Sequence, residues 1–256
     1  MTVAILAATG ISKMYGEFRV LDRVSFEVPE RGLVGIVGTN GAGKSTLFAA
    51  VSGQLKPDAG SVIFDGDEIG SLPPMRRAQR GLGRTFQVPR EFKHLSVREN
   101  LLAAAPREYG ETLRSVFVGW SRVAREETSL GETAEGWMSF LNLAGVANQL
   151  AVNLSGGQKK LLELGRVLML DPKCILLDEP FAGVNPVLID EISSRIRELN
   201  ASRGIAFVII EHHLEALRAL VQHLYVMDQG RVIAEGDPVA VLDDPRVHEA
   251  YMGGVI

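Results

Sequence analysis

The sequence predicts an α/β fold: a mostly parallel sheet, with an antiparallel β subdomain and an inserted helical subdomain. Three observations carry that prediction. Short apolar runs alternate with helical periodicity towards both ends of the chain, the pattern of strand–helix–strand units. One run, Leu33-Val34-Gly35-Ile36-Val37, passes through Gly38-Thr39-Asn40-Gly41-Ala42-Gly43-Lys44-Ser45-Thr46 into an apolar helical segment that stops at Gly53. Strand, glycine-rich loop and helix is the setting of a phosphate-binding P-loop. Between the two α/β ends, residues from roughly Val88 to Asn153 carry no strong strand run.

Taken in order, Val3 to Ile69 reads as short strands. Alternation around Val20–Val28 and Ser61–Phe64, broken by Pro29, Gly32, Gly60 and Gly66, suggests an antiparallel sheet beside the P-loop strand. In the middle region Trp137, Phe140, Leu141 and Ala144 recur at i, i+3, i+4 and i+7, a helical face expected to pack in the core, and Tyr109–Gly131 reads as loop and short helices. Alternation then resumes: helix Lys159–Leu170, strand Cys174–Asp178, helix Leu188–Leu199, strand Ala206–Glu211, a hairpin turning at Gln229-Gly230, and a helix led by Asp244-Pro245.

Composition narrows the function classes. With 27 Lys plus Arg against 31 Asp plus Glu, the net charge of −4 argues against a nucleic-acid partner. Arg76, Arg77, Arg80, Arg84, Arg90 and Lys93 form a local basic stretch, read either as a solvated face or as a docking surface. The single cysteine, Cys174, excludes an internal disulfide and any Cys-rich metal site, and its apolar strand predicts a buried, inert thiol. No apolar run approaches the roughly 18 residues that span a bilayer, so a cytosolic protein reaching a membrane only through a partner is expected.

The chemistry concentrates in three places. In the P-loop, the glycines let backbone N–H groups turn inward as an anion nest, and the helix N-terminus adds its dipole. Lys44 would reach the β- and γ-phosphates, and the Ser45 hydroxyl would ligate Mg²⁺. Cys174-Ile175-Leu176-Leu177-Asp178-Glu179 is an apolar strand ending in two acids, the Walker B pattern: Asp178 would hold Mg²⁺ and Glu179 would take a proton from the attacking water. Leu154-Ser155-Gly156-Gly157-Gln158 heads the next helix, as an ordinary N-cap or as a second anion site. Two phosphate-binding patches without an evident arginine finger suggest that two chains share each nucleotide.

The combined set resembles an ABC-type ATPase: the P-loop, Gln87 in Arg84-Thr85-Phe86-Gln87, LSGGQ, the Walker B strand with Glu179, and His212 after a buried strand. The resemblance covers essentially the whole chain. It implies ATP and Mg²⁺ as cofactors and Tyr15 stacked on adenine with Val20 beside it. It further implies Gln87 touching Mg²⁺ and the attacking water, Ser155 to Gln158 meeting the γ-phosphate of the partner's nucleotide, and His212 as the switch histidine.

Finer matches are similar to the branched-chain amino-acid importer ATPases, of the LivG-like type: Glu179-Pro180-Phe181-Ala182-Gly183-Val184-Asn185-Pro186, Ile210-Glu211-His212, and the ending from Asp244 to Gly253. Lipopolysaccharide-export and urea-import ATPases share many of them. Thr39, His213 and Asn185 depart from the wider family's usual Pro, Asp and Asp.

The implied partners are a second ABC ATPase subunit, identical or paralogous, polytopic permease subunits, and indirectly a substrate-binding protein. Soluble ABC ATPases of translation or repair usually carry two such domains or long arms, and neither is visible here. A P-loop kinase or GTPase leaves LSGGQ unexplained. The organisation expected is one ABC ATPase domain over 1–256, with 1–87 and 166–256 as nucleotide-binding core and 88–165 as the helical subdomain carrying the signature.

Overall fold

The structure is a computed structural model that describes residues 3–85, 91–106 and 120–253. It divides into two compact units, residues 1–87 with 173–256, and residues 88–172. The second boundary lies after the helix over 156–168 rather than at 165/166, because that helix runs unbroken to Leu168 and the chain turns only beyond it, at Met169-Leu170.

The first unit holds two sheets. Strands β1 (Ala4–Tyr15), β2 (Phe18–Pro29), β4 (Ala59–Phe64) and β5 (Asp67–Glu68) form an antiparallel sheet in the order β2-β1-β4-β5. The other sheet has the order β10-β9-β3-β8-β7-β6, from β3 (Leu33–Gly38), β6 (Leu82–Arg84), β7 (Cys174–Asp178), β8 (Ala206–Ile210), β9 (His223–Asp228) and β10 (Arg231–Gly236). All its pairings are parallel except the β9–β10 hairpin. Strands β3, β7 and β8 are buried at every residue, which explains why they read as continuous apolar runs and not as alternation. The core of this unit lies where apolar residues of both sheets meet α1 (Lys44–Val51), with Phe48 and Leu47 at its centre. Cys174 is buried there, and burial pushes its thiol up to about 12, the inert state expected.

Buried charge in this unit has a structural use. Arg77, in the short helix α2 (Pro74–Gln79), is only 2% exposed. Its guanidinium donates to the carbonyls of Leu72, Ala50, Val51 and Gly70, which stitches α2 to the end of α1. Burial lowers its pKa. Arg84 also turns inward, whereas Arg76, Arg80 and Lys93 are exposed. The basic stretch is therefore not one face: two of its arginines are internal braces, and Arg90 lies outside the described residues.

The second unit is helical. Helix α3 (Val97–Ala104) starts from a capping box in which the Ser96 hydroxyl accepts from Glu99 N–H and the Glu99 carboxylate accepts from Ser96 N–H. It packs with α4 (Trp120–Phe140) and α5 (Gly156–Leu168). A Cβ on Gly165 would lie 2.9 Å from both Leu101 and Leu141, so the missing side chain sets how closely these elements approach.

Two expectations fail here. Helix α4 already runs from Trp120 through Gly131, where loop and short helices were expected. Its buried face includes Ala134 and Met138, with Leu141 buried just past its end, while Trp137 and Phe140 are half-buried and meet edge-on. The helix ends before Ala144, which is exposed, because Asn142 takes a left-handed φ of 56° that breaks the period.

The remaining helices, α6 (Pro186–Arg203), α7 (Leu214–Leu220), α8 (Pro238–Leu242) and α9 (Pro245–Gly253), belong to the first unit. None of the described helices is long and apolar enough to cross a membrane.

The Arg77 brace gives a direct test. Arg77→Met removes the donors from buried carbonyls and should cost about 3 kcal/mol of stability. Arg76→Ala, on the exposed side of the same helix, should stay within about 0.5 kcal/mol. Urea-unfolding midpoints of the two variants measure the difference.

Candidate nucleotide site

Parallel pairing lines up the ends of three strands. Ile36 in β3 pairs with Ile210 in β8, and Ile210 pairs with Asp178 in β7. The P-loop, the acidic pair and the residues after β8 therefore leave one carboxyl edge of the sheet, where open α/β sheets bind ligands.

The loop from Gly38 to Gly43 is shaped by positions where only glycine fits. At Gly38 (φ 154°) a Cβ would lie 2.1 Å from the Met227 carbonyl oxygen, and at Gly43 (φ 97°) 2.7 Å from that of Val20. Gly43 is the N-cap of α1, so the first N–H groups of the helix face the loop. Lys44 is 6% exposed, and its ammonium donates to the carbonyls of Gly38 (2.8 Å) and Thr39 (2.9 Å). Burial lowers its pKa, opposed by the nearby charges of Glu179 and Asp178. The ammonium is thus held across the loop mouth in the field of both acids. Thr39, where the wider family usually has Pro, donates its hydroxyl to Asp228 at 3.2 Å, a bond that a proline could not make.

Asp178 is 2% exposed and closely braced. Its backbone N–H donates to the Thr85 hydroxyl, and its Oδ2 accepts from Arg84 at 3.1 Å. Arg84 also donates to Ser52 and Gln54 and lies over the Phe48 ring, tying β6 to the end of α1. Sequence reasoning missed this role because it grouped Arg84 with surface charge. Ser45 and Asp178 offer a hydroxyl and a carboxylate, the hard oxygen donors that suit Mg²⁺. Among the described residues no cluster of three or more His, Cys, Asp or Glu could hold a metal.

Glu179 takes a left-handed φ of 52°, with its N–H bonded to the Ile210 carbonyl at 2.9 Å. Its Oε1 lies 3.1 Å from Nε2 of His212. A carboxylate only accepts, so the bond needs the imidazole protonated at Nε2. The structure thereby brings Lys44, Asp178, Glu179 and His212 together. His213, where the wider family usually has Asp, caps α7 by accepting the Ala216 N–H at Nδ1. Asn185 caps α6 in the same way, through Leu188 N–H.

A cleft of about 710 Å³ opens at this edge, lined by Gly38, Thr39, Asn40, His212, Asp228 and the α9 residues Glu249 and Tyr251 among others. Burial pushes the phenol of Tyr251 up to about 12, slightly offset by the Gly38 main chain. Tyr15 and Val20 lie on β1 and β2, Tyr15 54% exposed with the Lys13 ammonium 5.7 Å from its ring centre. Gln87 falls outside the described residues.

In the second unit, Ser155 caps α5: its hydroxyl accepts from Gln158 N–H at 3.3 Å, and the Gln158 side chain accepts from Ser155 N–H. The signature residues thus form an N-cap. They also present a helix N-terminus suited to an anion, so the two readings of the sequence are compatible.

A profile of the ABC transporter family matches residues 21–182. The chain belongs to the ABC transporter family. A second profile, branched-chain amino acid ATP-binding cassette transporter, matches residues 231–255, the β10–α9 segment that reaches the cleft. A relative from Archaeoglobus fulgidus, named a probable branched-chain amino acid transport ATP-binding protein, LivG, is 41% identical over 97% of this chain and 95% of its own length. The lipopolysaccharide export system ATP-binding protein LptB of Haemophilus influenzae is 34% identical over 98% of both chains. Among solved structures, the ADP conformation of an ATP-binding cassette of an ABC transporter superposes with a TM-score of 0.86 at 42% identity, covering 98% of this chain and 100% of that one. This ABC cassette is an ATP-binding ATPase.

Two expectations follow from its geometry. Lys44→Ala should weaken ATP binding about 10–100-fold, the worth of a charge-assisted contact, in an equilibrium titration. Tyr15→Ala should weaken ATP and GTP alike by about tenfold, while Tyr15→Trp is nearly silent, because stacking tolerates base identity.

Proposed function

We propose that this chain is the ATP-hydrolysing subunit of a transporter that imports branched-chain or related amino acids through separate membrane subunits. The observation that carries the reading is the grouping of Lys44, Asp178, Glu179 and His212 at one sheet edge, with Glu179 already bonded to His212. The β10–α9 family match and the LivG relative favour amino-acid import. The LptB relative supports a second reading, lipopolysaccharide export. Neighbouring genes for two polytopic membrane proteins and a substrate-binding protein would decide for import.

The mechanism follows from the residues. The amides of Gly38–Thr46 and the Lys44 ammonium hold the ATP phosphates, and Lys44 exchanges its bonds to Gly38 and Thr39 for phosphate oxygens as ATP enters. Tyr15 stacks on adenine beside Val20. Ser45, Asp178 and Gln87 would hold Mg²⁺, which would supply charge neutralisation at the phosphates. Glu179 orients the attacking water and takes its proton, and His212 turns from Glu179 to the γ-phosphate. Ser155, Gly156, Gly157 and Gln158 serve the nucleotide on a second ATPase subunit. Each chain carries both halves of the contact, so a two-fold pair is self-complementary. The subunit would sit peripherally on the inner face of the cell membrane, held by its permease subunits.

Glu179→Gln separates hydrolysis from binding. The variant should bind ATP at least as tightly as the parent but hydrolyse it about 10²–10⁴-fold more slowly. An ATP-dependent dimer should then accumulate on a sizing column, and adding Ser155→Arg should abolish it. Parental turnover by Glu179→Gln would remove the proposed base.

A further inference from the structure

The residue after strand β8 is a carboxylate with no place in the proposed chemistry. Glu211 is 2% exposed, yet it satisfies its oxygens on two loops at once. Its Oε1 accepts the Phe181 N–H at 2.5 Å, two residues beyond Glu179. Its Oε2 accepts the N–H groups of His212 (2.9 Å) and His213 (3.3 Å). All three donors are main-chain amides, so the side chain fixes backbone rather than another side chain.

What it fixes is unusual backbone. Glu179 holds a left-handed φ of 52°, a conformation a non-glycine residue keeps only when its surroundings impose it. On one side the restraint is Glu179 N–H to the Ile210 carbonyl, and on the other it is Phe181 N–H to Glu211. The same Glu211 carboxylate sets the exit of the chain from β8, and with it the base of the His212 side chain. The 3.1 Å contact between Glu179 and His212 thus spans two loops joined through one buried carboxylate.

We infer that Glu211 is a positioning residue for ATP hydrolysis: its carboxylate clamps the Glu179 turn to the His212 loop and keeps both side chains in register. The inference rests on the hydrolytic reading of the site given above. A carboxylate is required because it offers only acceptors to three donors. The amide of Gln would set an NH₂ against at least one of them. Asp, one methylene shorter, would still reach the neighbouring His212 and His213 amides but lose Phe181.

The test uses the full chain and combines residue-resolved amide exchange with steady-state ATP hydrolysis. In Glu211→Gln, exchange at Phe181, His212 and His213 should speed at least tenfold, with the β3 amides unchanged within twofold. Its kcat should fall at least tenfold while KM for ATP stays within twofold. Glu211→Asp should show faster exchange at Phe181 alone and an intermediate kcat, and it decides the matter if the Gln variant does not fold. In a Glu179→Gln background, adding Glu211→Gln should cost a clearly smaller fold than in the parent, because only the placement of His212 is then left to lose. Parental kcat in Glu211→Gln, a rise in KM alone, or the same fold loss in both backgrounds would overturn the inference. Parental turnover in Glu179→Gln alone would instead overturn the hydrolytic reading on which it rests.

Discussion

The site depends on the register of three buried parallel strands. Ile36 sits opposite Ile210, and Ile210 opposite Asp178, so the P-loop, the Walker B acids and His212 emerge at the same height. A one-residue slip would turn each strand's side chains to the other face and withdraw the acids from Lys44. Burial of every residue in these strands makes such a slip costly, because unpaired backbone groups would be left in the core. The sheet is in this sense a ruler for the chemistry.

Charge at the loop mouth is organised around the same edge. Lys44 is held out of water by the P-loop carbonyls and in the field of two acids. A phosphate group arriving there replaces neutral carbonyl partners with charged ones. Arg84 performs a complementary task behind the site, fixing Asp178 while anchoring β6 to α1. The segment that follows β6 leads to Gln87, so the brace joins the chain entering that region to the Walker B strand.

The three departures from the wider family each have a local account. Thr39 replaces a stiff ring with a hydroxyl bonded to Asp228. His213 and Asn185 are helix caps, a duty that Asp would also perform, so the exchange leaves the backbone course intact. On the neighbouring surface, α9 adds Tyr251 and Glu249 to the cleft wall, and this is the segment with the branched-chain family match.

The sequence alone determined the α/β class, the P-loop with its flanking strand and helix, the acid-ended strand and the membership of the ABC family. Those features are local: a run of apolar residues, glycines at fixed spacing and a short motif carry them without reference to distant residues. Tertiary structure decided the rest. The start of α4 and its buried face could not be read from periodicity, because Trp137 and Phe140 satisfy the stripe while Met138 and Ala134 fill the core. The basic stretch looked like surface until Arg77 and Arg84 found carbonyls and a carboxylate far along the chain. Glu211 gave no signal of its own, since the Phe181 amide it holds belongs to a turn 30 residues earlier that only the pairing of β7 with β8 brings near. Short-range patterning specifies which elements form; the partners of buried charges are set by which elements the sheet places side by side.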